Sequence, residues 1–190
     1  ARLPDALTTD PAKPTFSTSV AINDIDSDGD PDVVYTANPM SPSGDYSDGF
    51  AMENLRILTN DGYGKFTDVT TSRISSESLW VDKAWGRSTK FADVNGDGYS
   101  DIVVEVVGGA EGASNARSCA IYINNGFGYY KGYMTQVPTD WAHGYTFSDL
   151  NKDGVIDILF DDHGSTWNGY AFRGGVYVAY GSVIHSIQSQ

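Results

Sequence analysis

The sequence predicts an all-β chain built from three copies of one four-stranded antiparallel unit, and three observations carry this. An acidic stretch of nine residues occurs three times in one register. Asp24, Asp26, Asp28, Asp30 and Asp32, then Asp93, Asn95, Asp97, Tyr99 and Asp101, then Asp149, Asn151, Asp153, Val155 and Asp157 hold its positions 1, 3, 5, 7 and 9, with Gly29, Gly98 and Gly154 at position 6. Each stretch runs directly into a short β-branched and aromatic run, at 32–35, 101–104 and 157–160, of the kind that forms buried strands. An Asn-x-Gly-x-Gly pattern at 60–64, and again at 124–128, then separates two further runs in the first two copies, which reads as a hairpin turn.

In chain order, residues 1–15 hold three prolines and no periodicity, which predicts a leader or linker. The copies fill 16–190, at about 16–72, 85–137 and 141–187. The first gives strands at 16–23, 32–35, 55–58 and 65–69, with a Pro/Gly/Ser insertion at 38–54. The second gives 85–92, 101–107, 119–123 and 129–134, with a Gly-rich insertion at 108–118. The third gives 141–148, 157–161, 176–179 and 183–187, with an insertion at 163–174. Its last turn, 180–182, lacks the Asn-x-Gly-x-Gly pattern.

The acidic stretches have the chemistry of metal loops. Side-chain oxygens at positions 1, 3, 5 and 9 and the main-chain carbonyl of position 7 offer a hard, all-oxygen donor set. Ca²⁺ takes six to eight such oxygens at about 2.3 to 2.6 Å. The position-6 glycine supplies the sharp reversal that brings the position-7 carbonyl inward. The first five positions match the opening of an EF-hand. Position 12, however, is Tyr35, Val104 or Phe160 rather than Glu, and the flanks are strands. The expectation is three Ca²⁺ sites set in β-hairpins. No soft ligand is present, and because four side-chain oxygens and a carbonyl in each loop leave room mainly for water, a structural ion is expected rather than a catalytic one.

The net charge of −13 carries the same message, because eleven of the 25 acidic residues lie inside the three loops. Three Ca²⁺ ions would bring the net charge to about −7. With neither a basic stripe nor a basic tail, nucleic acid is not an expected partner. No run of 18 apolar residues exists, so membrane insertion by a helix is not expected. The single cysteine, Cys119, alternates with Ile121 and Ile123 on one strand face and reads as a buried thiol. Open acidic loops of this kind fill where free calcium is millimolar, which predicts an extracellular or cell-surface setting.

Loop starts lie 69 and 56 residues apart, and four-stranded units repeated at such a period fit the blades of a β-propeller. On the three D-x-[DN]-x-D-G-x-x-D loops and the turn segments 60–66 and 124–130, the sequence resembles the FG-GAP/VCBS repeats of integrin α-chain-like β-propellers, over roughly residues 16–187. The resemblance implies that each acidic loop joins a blade's innermost strand to its second strand. It also implies more than three blades, to be supplied by a longer chain or by self-association through open blade faces.

If so, the residues that begin the innermost strands gather on the face away from the loops. Phe16, Trp85 and Trp141 stand eight residues before each loop, and Arg87 and His143 follow two positions after the tryptophans. The insertions add Trp167 and Arg173. Aromatic faces stack on sugars or on packed side chains, and arginine offers a fixed fork to carboxylates. Trp85, Arg87, Trp141, His143, Trp167 and Arg173 are therefore candidate ligand-binding residues, although the aromatics that open the strands would serve equally as wedges between blades. The expected function is adhesion or recognition of a glycan or extracellular protein, as the resemblance implies, and not catalysis. The alternatives are a self-assembling structural subunit and a polysaccharide lyase or dehydratase like those that carry similar propellers, with Arg87 and His143 at the axis.

Overall fold

A computed structural model describes residues 15–17, 19–36, 38–39, 55–75, 84–109, 119–134, 142–162, 166–167, 170–171 and 175–181. The first copy folds as β1 (Thr15–Phe16), β2 (Val20–Asn23), β3 (Asp32–Thr36), β4 (Asn38–Pro39), β5 (Leu55–Asn60) and β6 (Phe66–Asp68), followed by one helical turn, α1 (Thr70–Arg73). The second gives β7 (Ala84–Ala92), β8 (Asp101–Gly109), β9 (Cys119–Asn124) and β10 (Tyr130–Met134). The third gives β11 (Ala142–Ser148), β12 (Asp157–Asp162), the small hairpin of β13 (Thr166–Trp167) and β14 (Tyr170–Ala171), and β15 (Gly175–Ala179).

Among the described residues, three antiparallel sheets of three or four strands result, in the orders β2-β3-β5-β6, β7-β8-β9-β10 and β11-β12-β15, beside the two-stranded pairs β1-β4 and β13-β14. The all-β, propeller-like array expected from the sequence is thus the architecture. The fourth strand expected in the third sheet, at 183–187, lies outside the described residues. Two local differences have physical causes. The strand expected at 16–23 is divided, since β1 pairs with β4 while β2 pairs with β3. At the break, Ser17 Oγ donates to Ser19 O and Thr36 N–H donates to the same carbonyl.

The strand expected at 65–69 instead stops at Asp68, and α1 follows. Asp68 Oδ1 accepts both the N–H of Thr70 at 3.0 Å and its hydroxyl at 2.7 Å, and Thr70 Oγ1 in turn accepts the Ile57 N–H. Short polar side chains that bond nearby main chain turn a strand aside in this way.

Successive side chains of a strand point to opposite faces of its sheet, and two contacts between neighbouring blades bury the facing apolar sides. Val34, Leu55 and Ile57 of blade 1 pack with Ile102, Val104, Ala120, Tyr122 and Tyr130 of blade 2. The opposite face of blade 2, with Val103, Cys119 and Ile121, packs on Tyr145, Ile158, Phe160 and Ala179 of blade 3. Burying each large side chain contributes about 1.5 to 3 kcal/mol, which makes these contacts the main fastening between blades. Cys119 is fully buried as expected, and desolvation pushes its thiol well up. Val33, Tyr35 and Leu58, with Phe66, lie on the far face of blade 1. Among the described residues no helix is long and apolar enough to cross a membrane.

Candidate metal centres

Each acidic loop joins the first strand of its sheet to the second, and the three repeat one hydrogen-bond plan. At position 1, Asp24, Asp93 and Asp149 each take the N–H of position 5 on one carboxylate oxygen and the N–H of the position-6 glycine on the other. At position 5, Asp28, Asp97 and Asp153 each accept the N–H of position 7 at 2.9 Å. These bonds curl the chain so that positions 1, 3 and 5 converge. Gly29, Gly98 and Gly154 have φ of 91°, 89° and 88°, the left-handed reversal expected at position 6.

Position 4 is left-handed too, and the sequence did not announce it. Ser27 and Lys152 have φ of 61° and 62°, and Gly96 has 76°. A side chain at such a φ is uncommon and is tolerated where the surroundings impose it. The glycine at 96 was the available hint.

Position 9 has a double duty. Asp32, Asp101 and Asp157 are fully buried. One oxygen of each accepts the N–H of position 2 (Ile25, Val94 or Leu150), and the other accepts an N–H from the end of the third strand (Asn60 or Asn124) or two residues past it (Gly181), at 2.8 to 3.0 Å. The turn is therefore part of the site. Asn60 and Asn124 also donate Nδ2–H to the carbonyls of Pro31 and Ser100. The third sheet meets the same need without that asparagine, because Gly181 donates directly.

Burial has an electrostatic consequence. Desolvation is the main cause that pushes Asp101 up to about 7, with Asp97 and Asp93 adding repulsion against the two backbone donors. Asp32 is raised for the same leading reason, with Asp26 and Asp28 adding to it. A cation among these carboxylates would favour their ionised forms.

The donors fit a hard divalent ion. Oxygens of Asp24, Asp26 and Asp28 lie within 4.8 Å of one another. Two ligands facing each other across an ion at about 2.4 Å would be about that far apart. Asp26 Oδ1 is buried without a hydrogen-bond partner, an arrangement that is costly unless something positive meets it. In loops 2 and 3, Asn95 and Asn151 stand at position 3 and donate Nδ2–H to Asp97 and Asp153 at 2.8 Å. Their carbonyl oxygens accept the Asp97 and Asp153 N–H groups. The position-7 residues Asp30, Tyr99 and Val155 lie under the turn glycines Gly62, Gly126 and Gly181.

The other candidates are placed only by backbone. Trp85 and Arg87 are in β7, His143 is in β11 and Trp167 is in β13, with side chains outside the described set, and Trp141 and Arg173 lie wholly outside it. Trp85 pairs with Val107, at the end of the strand away from the loop. The register of β7 on β8 shifts between Gly86 and Ser88, and that of β11 on β12 between Ala142 and Gly144. Arg87 and His143 are therefore the extra residues of equivalent bulges.

These sheets and loops define a β-propeller-type module. Residues 24–104 match the family model described as FG-GAP-like repeat, a span that takes in the first two loops whole. This stretch of the protein is similar to FG-GAP repeats, and the third loop, outside the matched span, repeats the same bonds at positions 1, 5 and 9. No curated protein matches the chain.

Proposed function

We propose that the protein is an extracellular, calcium-stabilised propeller module that recognises a glycan or a protein through the face away from its metal loops. The observation that carries this reading is the pair of equivalent bulges at Arg87 and His143. Bulges interrupt a ladder where a residue must be re-aimed, and they concentrate at barrel rims and binding sites. Here they sit on the first strands of adjacent blades, the strands that the resemblance makes innermost. The loops take the opposite role, with Asp24, Asp26 or its asparagine equivalents, Asp28 and the position-9 aspartates as the residues that would hold Ca²⁺. The bound ion supplies positive charge that relieves carboxylate repulsion and fixes the hairpin bend.

The test is binding of the calcium-loaded chain to glycan and extracellular-protein arrays, followed by Arg87→Ala and His143→Ala. Each substitution is expected to weaken a specific binder at least about tenfold, as for a hot-spot residue, without lowering the melting temperature. Binding that survives both substitutions, or that tracks the loop face instead, would overturn the reading.

One observation favours a second reading, self-association through blade ends. Position 2 of loops 1 and 2 is buried between blades, with Ile25 at 3% and Val94 at 0% exposure, whereas Leu150 in loop 3 is 47% exposed. At the other end, Val20 and Ile22 are also exposed. A native mass of one chain across a wide concentration range would count against it.

A further inference from the structure

We infer that Arg73 couples the first metal loop to the seating of blade 2, so that filling of loop 1 and closure of the contact between blades 1 and 2 favour one another. The inference rests on the reading of the loops as calcium sites. Arg73 ends α1, in the segment that leaves blade 1. Its Nη2 donates to Asp26 Oδ2 at 3.1 Å and its Nη1 donates to the main-chain carbonyl of Phe127 at 2.8 Å, while its guanidinium lies 4.7 Å from the centre of the Tyr129 ring. One side chain thus holds position 3 of the blade 1 loop and the outer turn of blade 2 together.

The surrounding chain is fitted to this contact. Gly128 lets the blade 2 turn come against loop 1, since a Cβ there would stand 2.9 Å from the Ile25 carbonyl oxygen and 3.2 Å from Asp26 Cβ. Just beyond Arg73, Ile74 forms a parallel bridge with Tyr130, and the Ser75 N–H donates to the Tyr130 carbonyl at 3.1 Å. Asp26 Oδ1 and the Tyr130 hydroxyl, one from each blade, are both buried without a hydrogen-bond partner.

Position 3 shows why loop 1 differs. Asparagine at 95 and 151 closes on position 5 of its own loop and has one carbonyl oxygen. Aspartate at 26 has two oxygens and a charge to divide. Oδ2 goes to the arginine, Oδ1 remains for a cation, and the carboxylate lies between the two positive groups and offsets their repulsion. The rotamer of Asp26 that serves the cation is the one Arg73 holds against the Phe127 carbonyl, and coupling of this kind is reciprocal. Arg73 is therefore a positioning residue.

Hydrogen exchange of the full chain, with calcium and with chelator, tests this. In the wild type, calcium should slow exchange at residues 74–75 and 126–130 by at least about fivefold, the lower end of usual coupling. Asp24→Asn should abolish that response. Arg73→Met should bind calcium and keep the calcium response of the third loop, which reports that the variant is folded, yet lose the response at 74–75 and 126–130. Arg73→Lys keeps the charge but lacks the two-pronged reach, so it should lose the response as well. A wild-type response in Arg73→Met, or calcium binding without any response at 74–75 and 126–130 in the wild type, overturns the coupling alone. Absence of calcium binding to the wild type overturns both the coupling and the calcium reading.

Discussion

The two contacts between blades are built on the same apolar plan but pinned differently. Between blades 1 and 2, the polar link at the loop end is Arg73, which ties Asp26 to Phe127. A second link lies just before β2, where Ser19 Oγ accepts the N–H of Thr89 in β7 at 2.9 Å. Between blades 2 and 3 the link is a tyrosine. The Tyr145 hydroxyl donates to the Val103 carbonyl at 2.8 Å, and Lys90 donates Nζ–H to the Tyr145 carbonyl while lying 4.3 Å from the centre of its ring. On the coupling proposed above, one interface would answer to the metal of loop 1 and the next would be indifferent to it.

The largest effect that would sharpen this contrast is removal of calcium. A ligand present at about one hundred times its Kd stabilises the state that binds it by about 2.7 kcal/mol per site, so three filled sites would contribute on the order of 8 kcal/mol. For a domain of 150–250 residues, each kcal/mol moves the melting temperature by roughly 2 to 4 °C. Excess chelator should accordingly lower the calorimetric melting temperature by at least about 15 °C. The contact of blades 1 and 2 should open before that of blades 2 and 3. An unchanged melting temperature would remove the structural role of the ion.

The mirror experiment breaks the second contact. Tyr145 is 5% exposed, and its ring centre lies 5.5 Å from that of Phe147 and 6.4 Å from that of Phe160. Tyr145→Ala leaves a cavity in that cluster and should cost about 3 to 5 kcal/mol by denaturant melts. Tyr145→Phe removes the donor from the Val103 carbonyl and the longer, 3.4 Å bond to the Ser88 carbonyl, and should cost about 1 to 2 kcal/mol. Neither loss should change calcium affinity at loop 1. A shift in that affinity would show that the two contacts are not independent.

How much of this was legible in the sequence follows from where each signal resides. The shape of the loops was legible because their oxygen side chains recur at fixed spacing, and the glycine at position 6 is written into the residue type. Strand pairs could be read from alternation, since Val33 and Tyr35 go to one face of the sheet and Val34 to the other. Arg73 was not legible. Its partners, Asp26 and Phe127, lie 47 and 54 residues away and meet only once two blades have docked. The local cue was Asp68 two residues before Thr70, a short-range bond that starts a turn but does not say what the turn carries. The second duty of the position-9 aspartates was hidden for the same reason, because their second donors come from the far end of the third strand or just past it, 23 to 28 residues along the chain.

Alkaline pH gives the smallest effect and distinguishes the interface tyrosine from the one on the outer face. Burial pushes Tyr35 up to about 12 and raises Tyr145 further, desolvation being the leading cause in both. Between the ordinary phenol value near 10 and these raised values, the unfolded chain releases protons that the folded chain keeps. Stability is therefore fully present below about pH 10 and falls above it, by at most about 1.4 kcal/mol per pH unit for each tyrosine. Tyr35 stops contributing to the fall near pH 12, whereas Tyr145 continues beyond it. Urea melts at pH 9, 10 and 11 should show this loss in the wild type and a shallower one in Tyr145→Phe. Parallel curves for the two proteins would mean that the Tyr145 hydroxyl is not shut inside the contact between blades 2 and 3, and the contrast with the arginine-pinned interface would then lose its chemical basis.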